Sequence, residues 1–240
     1  MTPTHLAAAL NLPRFEIGPE PEYACPLCAD TGWGVTFEGG AIHCAECDYW
    51  PTLRERRLAR LFGAAAIPSH FAAMSWDTYP GEAALQARLI RRWAVAPSRP
   101  WLFLWGPVGT GKTALALCAL RERIEKGTEG LYVTSAELLD RIRSTYDAAN
   151  EGPTEAALTN GAEGAPLLLL DDLAAERATD WACERLMVLL AYRHAHDLPT
   201  ILTSNHSPDG IEKRLGERVR SRIEELAEIV HLDGRDLRRR

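Results

Sequence analysis

No stretch of this chain is apolar for the roughly 20 residues that a membrane-spanning helix needs. The first dozen residues carry neither a basic start nor a long apolar core, so they do not read as a secretory signal. Both absences point to a cytoplasmic protein without a membrane partner. The chain also lacks an excess of positive charge: its net charge is −6 over 240 residues. It is therefore not a polycation, and any contact with nucleic acid must come from a local patch. Cysteine is scarce, at six residues. In a reducing compartment these are more naturally metal ligands or buried thiols than disulfides. The remaining composition, 46% hydrophobic and 25% charged, is that of an ordinary globular protein.

Four of the cysteines form two C-x-x-C pairs, Cys25/Cys28 and Cys44/Cys47, with 15 residues between the pairs. Two such knuckles present four thiolates to one tetrahedral Zn²⁺, and four sulfur ligands leave no open position. The site is thus structural. The spacer has glycine turns around Trp33 to Phe37, the pattern of a ribbon hairpin. About 30 residues bury too little apolar surface to fold alone, and zinc supplies the missing energy. His43 reads as a strand residue beside Cys44. Cys118 and Cys183 fall in helical apolar patterns and read as buried thiols. Residues 51–62 read as an amphipathic helix with Arg54, Arg56, Arg57 and Arg60 on one side. We set a domain boundary after it, giving a zinc-binding unit at 1–64 and a second, larger unit at 65–240.

From there strands and helices alternate. Strands are expected at 102–105, 130–133, 167–171, 200–203 and 229–232. Helices are expected at 112–126, 135–149, 179–194 and 211–225. Thr134 and Glu137 form a candidate capping box. Residues 150–166, polar and glycine-rich, read as a long loop. Alternation of this kind gives an α/β fold with a parallel sheet covered on both faces. The run Leu167 to Leu170 has no polar alternation, as a central strand requires.

Gly106-Pro107-Val108-Gly109-Thr110-Gly111-Lys112-Thr113 lies between the first of these strands and its helix. Strand, glycine loop and helix in that order make a phosphate-binding loop. Its backbone N–H groups and the helix N-terminus face the phosphates of ATP. Lys112 reaches the β- and γ-phosphates and Thr113 ligates Mg²⁺. Asp171 and Asp172 end the leucine strand, where parallel sheets place ligands. Asp171 is assigned to Mg²⁺ and Asp172 to the attacking water. Asn205 ends the following strand, within reach of the γ-phosphate or that water. The arginine-dense segment 218–222 offers guanidinium donors for a transferring phosphoryl group. The arginine tail 235–240 reads as a solvated end.

Taken with "IPSHF" (67–71), "YVTSAELLDRI" (132–142), "LLLLDDL" (167–173), "YRHAHDLPTILTSN" (192–205) and "RLGERVRSRI" (214–223), these segments resemble the DnaC-type helicase loaders. They are equally similar to the IstB-type transposition helpers; both groups are AAA+ ATPases. The resemblance covers residues 65–240. It implies that Asn205 is a sensor of the γ-phosphate and that Arg222 is an arginine finger given to a neighbouring subunit. It implies that Arg238 is a second sensor on the chain's own nucleotide. It also implies that helix 135–149 touches single-stranded DNA through Arg141, Arg143 and Tyr146. Loaders of this kind act on a replicative helicase of the DnaB type, which the N-terminal unit would grip, and self-associate through their ATP sites. The alternative role is a helper that assembles on duplex DNA with a transposase. Ala114 departs from the loaders' usual continuation of the loop. No lid segment follows the last strand, so a stable closed ring is not expected.

Overall fold

A computed structural model of the protein describes residues 33–38, 41–46, 50–79, 84–146, 154–175, 179–234 and 236–237. Near the N-terminus, β1 (Trp33–Glu38) and β2 (Ala41–Glu46) pair as an antiparallel hairpin. Its register sets Val35 opposite Cys44 and Thr36 opposite His43. The expected ribbon hairpin is therefore present. Cys25, Cys28 and Cys47 lie outside the described residues.

The main body is a five-stranded parallel sheet in the order β4-β5-β6-β3-β7. The strands are β3 (Trp101–Trp105), β4 (Gly130–Thr134), β5 (Leu167–Asp171), β6 (Thr200–Ser204) and β7 (Ala227–His231). Eight α-helices are described: α1 (Trp50–Ala64), α2 (Ala84–Val95), α3 (Lys112–Glu125), α4 (Ser135–Ser144), α5 (Glu155–Gly164), α6 (Asp180–Ala195), α7 (Pro208–Leu215) and α8 (Glu217–Leu226).

Two cores explain the leucine run. Leu168 and Leu170 join the core under α4 to α8, whereas Leu167 and Leu169 face α1, α2 and α3. All four are fully buried, so each side chain contributes roughly 2 kcal/mol of apolar burial. Polar alternation has no place on such a strand. Helix α1 is seated on this body, with Leu61, Ala64 and Ala65 buried and the Ala65 carbonyl accepting from Tyr132 N at 2.8 Å.

Three expectations are corrected. The loop expected at 150–166 contains α5. Thr154 caps it by accepting from Ala157 N, and Leu158 and Ala162 bury against the core. The burial of those two residues outweighs the cost of Gly161 inside the helix. The single helix expected at 211–225 breaks at Gly216, whose φ of +90° L-residues disfavour, leaving α7 and α8. Helix α2 was not anticipated; its three arginines dilute an apolar stripe that buries Ile90, Trp93 and Ala94. The capping box at Thr134 is half made. Thr134 Oγ1 accepts from Glu137 N at 3.1 Å, but the Glu137 carboxylate is drawn instead to Arg141.

Candidate nucleotide site

The phosphate loop leaves β3, between β6 and β7 in the sheet, and closes at Gly111, the left-handed N-cap of α3 (φ +89°). A methyl on Gly111 would come within 2.8 Å of the Tyr79 hydroxyl, so both backbone angle and space require glycine. Lys112 is buried and folds back on its own loop, donating to the carbonyls of Gly106 (2.9 Å) and Pro107 (2.7 Å). An ammonium held only a side-chain rotation away from the loop's mouth is poised to exchange carbonyl partners for phosphate oxygens.

Register brings the second half of the site into place. Leu170 on β5 pairs with Leu202 on β6, so Asp171 and Thr203 end level with one another. Thr203 Oγ1 donates to Asp171 Oδ1 at 2.6 Å and accepts from Asp172 N at 2.9 Å. From the other side, Thr113 Oγ1 lies 3.0 and 3.2 Å from the two Asp171 oxygens, and the Tyr132 hydroxyl lies 3.2 Å from Oδ2. Asp171 is thus a buried carboxylate ringed by hydroxyls. Burial raises its pKa; the Asp172 charge adds to the rise, and the hydroxyl donors from Thr203, Thr113 and Tyr132 oppose it. Burial also raises the Tyr132 pKa, which keeps that hydroxyl a donor. A buried carboxylate beside a threonine hydroxyl is an all-oxygen set that suits Mg²⁺, and the cation would relieve the desolvated charge.

That raised pKa has a consequence for stability. The folded carboxyl holds its proton to higher pH than the unfolded one. Its contribution is therefore most favourable below the ordinary carboxylate range and declines as pH climbs through the raised value. Asp171→Asn removes the decline. In melts without Mg²⁺ the variant gains on the wild type as pH rises above the ordinary carboxylate range. A difference that does not change with pH contradicts this.

Asp172 has φ +54°, a conformation that Asp tolerates better than most residues. Its carbonyl accepts from Ser135 Oγ at 2.7 Å, so its backbone is pinned between β6 and α4. Asn205 follows β6, half-buried. Arg222 stands on α8 in a groove of about 330 Å³ lined by His194, Glu217, Arg218, Ser221 and Glu225, none from the phosphate loop. Its Nη1 is shielded from solvent with no hydrogen-bond partner among the described residues. Arg238 lies outside the described residues. The tail expected to be solvated is partly tied down, since Leu237 N donates to Gly109 O at 2.9 Å. Backbone pairing of this kind outweighs the fraying expected of a terminal segment.

Of the three residues expected on the DNA-facing helix, Arg143 and Tyr146 come together around Trp181. The Arg143 guanidinium is 5.0 Å from the ring centre, and Tyr146, 54% exposed, meets it edge-on at 6.2 Å. Arg141 is instead bound to Glu137. Cys118 is buried as expected, its thiol pushed up to about 12 by burial. Cys183 is only half-buried and donates to Arg214 O.

Sequence reading missed Thr203 and Tyr132. The fully buried hydroxyl residues at the end of β6, Thr203 and Ser204, were the available signal for the first. It also missed Arg193, which is fully buried in α6. Its guanidinium donates to the carbonyls of Ala162, Glu163, Ala165 and Pro199 and to Thr200 Oγ1. It thereby closes the C-terminus of α5 onto the start of β6, the strand that carries Thr203 and Asn205.

Comparison with known proteins agrees with this geometry. The family described as IstB-like ATP binding protein matches residues 51–240. The replicative helicase loader DnaI of Bacillus subtilis (strain 168) is 29% identical over 150 residues, 57% of this chain and 47% of the relative. The replicative helicase loader DnaC of Escherichia coli (strain K12) is 27% identical over 118 residues, 49% of this chain and 47% of the relative. The chain thus spans about half the length of these curated relatives. A crystal structure of the DnaC helicase loader superposes with a TM-score of 0.62 and 28% identity, covering 69% of this chain and all of that one. The sheet order and the phosphate loop are those of an AAA+ nucleotide-binding fold.

Proposed function

The chain belongs to the IstB-like ATP-binding protein family, and from that premise we propose that it is an ATP-dependent loader of a replicative DNA helicase. The likeness to the crystallised DnaC helicase loader, over 69% of this chain, supports this reading. In it, Lys112 holds the β- and γ-phosphates while Thr113 and Asp171 hold Mg²⁺. Asp172 orients the attacking water, and Asn205 reads the γ-phosphate. Arg222, on α8 in a groove away from the chain's own phosphate loop, completes the site of an adjacent copy. Arg238 is assigned to the chain's own nucleotide. The γ-phosphate then supplies the differential binding energy between an assembled and a released state.

The residues ahead of α1 form the unit that docks the helicase, with Cys25, Cys28, Cys44 and Cys47 as its Zn²⁺ ligands; α1, placed with that unit on sequence grounds, packs instead on the ATPase body. Helix α4, which ends at Ser144 short of the expected 149, and the turn after it contact single-stranded DNA through Arg143 and Tyr146. Arg141 is the third candidate; its pair with Glu137 at 2.7 Å is tighter than that of Arg143 with Asp140 at 3.7 Å. The match to an IstB-like family model supports one second reading, a transposition helper that we would expect to act on duplex DNA. Two measurements on the full chain separate them. The loader co-elutes with its host's replicative helicase, and its ATP turnover is stimulated by single strands. Co-elution with a transposase and stimulation only by long duplex overturns the loader reading.

A further inference from the structure

The sheet face opposite α4 carries charge that the nucleotide site does not use. Helices α1 and α2 hold seven arginines and one glutamate, in a chain whose net charge is −6. Arg54, Arg56 and Arg57 on α1 and Arg88 and Arg91 on α2 are exposed and form no ion pair among the described residues. The two helices are joined across the end of α3. The Arg57 guanidinium lies within 3.5 Å of a methyl built on Gly127, and the neighbouring Lys126 Nζ reaches Val95 O at 3.4 Å. Aromatic rings are interleaved with the cations. Arg121 lies 4.6 Å over Phe62, Arg91 lies 5.9 Å over Trp76, and Trp76 Nε1 donates to Glu122 at 3.0 Å.

Unpaired like charges repel one another, so a face of this kind is maintained at a cost unless something anionic meets it. A protein partner anchors on buried apolar pockets. Among the described residues of this face the large exposed apolar ones are Leu85 and Val95, set apart at the two ends of α2. Guanidinium forks on about 9 Å of α1, continued across the end of α3 by those of α2, suit a row of phosphates instead. We infer that the α1–α2 face binds the phosphodiester backbone of DNA, independently of sequence and separately from α4. Two contact regions then lie on opposite faces of one sheet, α4 over one core and α1 and α2 over the other. This inference does not rest on the α4 reading.

The test is the salt dependence of binding to labelled 40-mers, single-stranded and duplex, without nucleotide. Each phosphate contact contributes about 0.9 to the slope of log affinity against log salt on duplex and about 0.7 on single strands. The exposed triple variant Arg54→Gln/Arg56→Gln/Arg57→Gln should keep the wild-type melting temperature. It should lose roughly 2 to 3 from the duplex slope and at least about tenfold in affinity at low salt. Loss on one oligonucleotide and not the other identifies which form the face takes. An Arg143→Gln/Tyr146→Ala variant tests α4 separately and should leave the α1-dependent part of the slope intact. The inference is overturned if the wild type binds neither 40-mer, or if the triple variant binds both with unchanged slope.

Discussion

Arg193→Leu should cost about 3–5 kcal/mol of stability and lower the melting temperature by roughly 10 °C. The side chain is 0% exposed and supplies donors to four backbone carbonyls and one hydroxyl. Removing it leaves those carbonyls dry and unpaired, and an apolar replacement cannot satisfy them. Burial pulls the guanidinium down to about 9, which still leaves it cationic at neutral pH. The carbonyl-rich end of α5 is the compensating partial charge. Arg193→Lys should recover only part of the loss, because one ammonium cannot span acceptors on α5 and β6. Thermal melts with urea titrations check this. A fall of less than about 2 °C for the leucine variant means that the carbonyls find other partners.

The nucleotide-binding half was legible because its information is local. Eight consecutive residues define the phosphate loop, and two adjacent carboxylates end an apolar run. The ring around Asp171 was not legible, because Thr203, Tyr132 and Thr113 come from three separate elements and meet only through strand register. Arg193 was hidden for the same reason: in sequence it is one cation among many on α6, and its acceptors lie about 30 residues away on α5 and just past its own helix. Helices α2 and α5 escaped because composition misleads there, arginines masking one apolar stripe and glycines the other. The break at Gly216 was readable in principle, since glycine between two charged helical turns is a stop signal.

The second large effect concerns Asp172. Asp172→Asn should reduce ATP turnover by a factor on the order of 10² to 10⁴ while leaving Mg-ATP affinity within a few-fold of wild type. Asparagine tolerates the same left-handed backbone. It also preserves the hydrogen bonds that run through Asp172 N and O, so the strand end stays in register. What is removed is the carboxylate that orients water. Undiminished turnover shifts the hydrolytic role elsewhere, and loss of binding assigns Asp172 to the phosphate or metal instead.

Because that variant does not consume its ligand, it isolates the claim on which the rest depends. Titration calorimetry of Mg-ATP into folded Asp172→Asn protein should give a saturable heat at one site per chain. That heat should disappear when Lys112→Ala is added to the same background. Absence of heat from the single variant, or equal heat from both, contradicts a triphosphate held between Lys112 and Asp171.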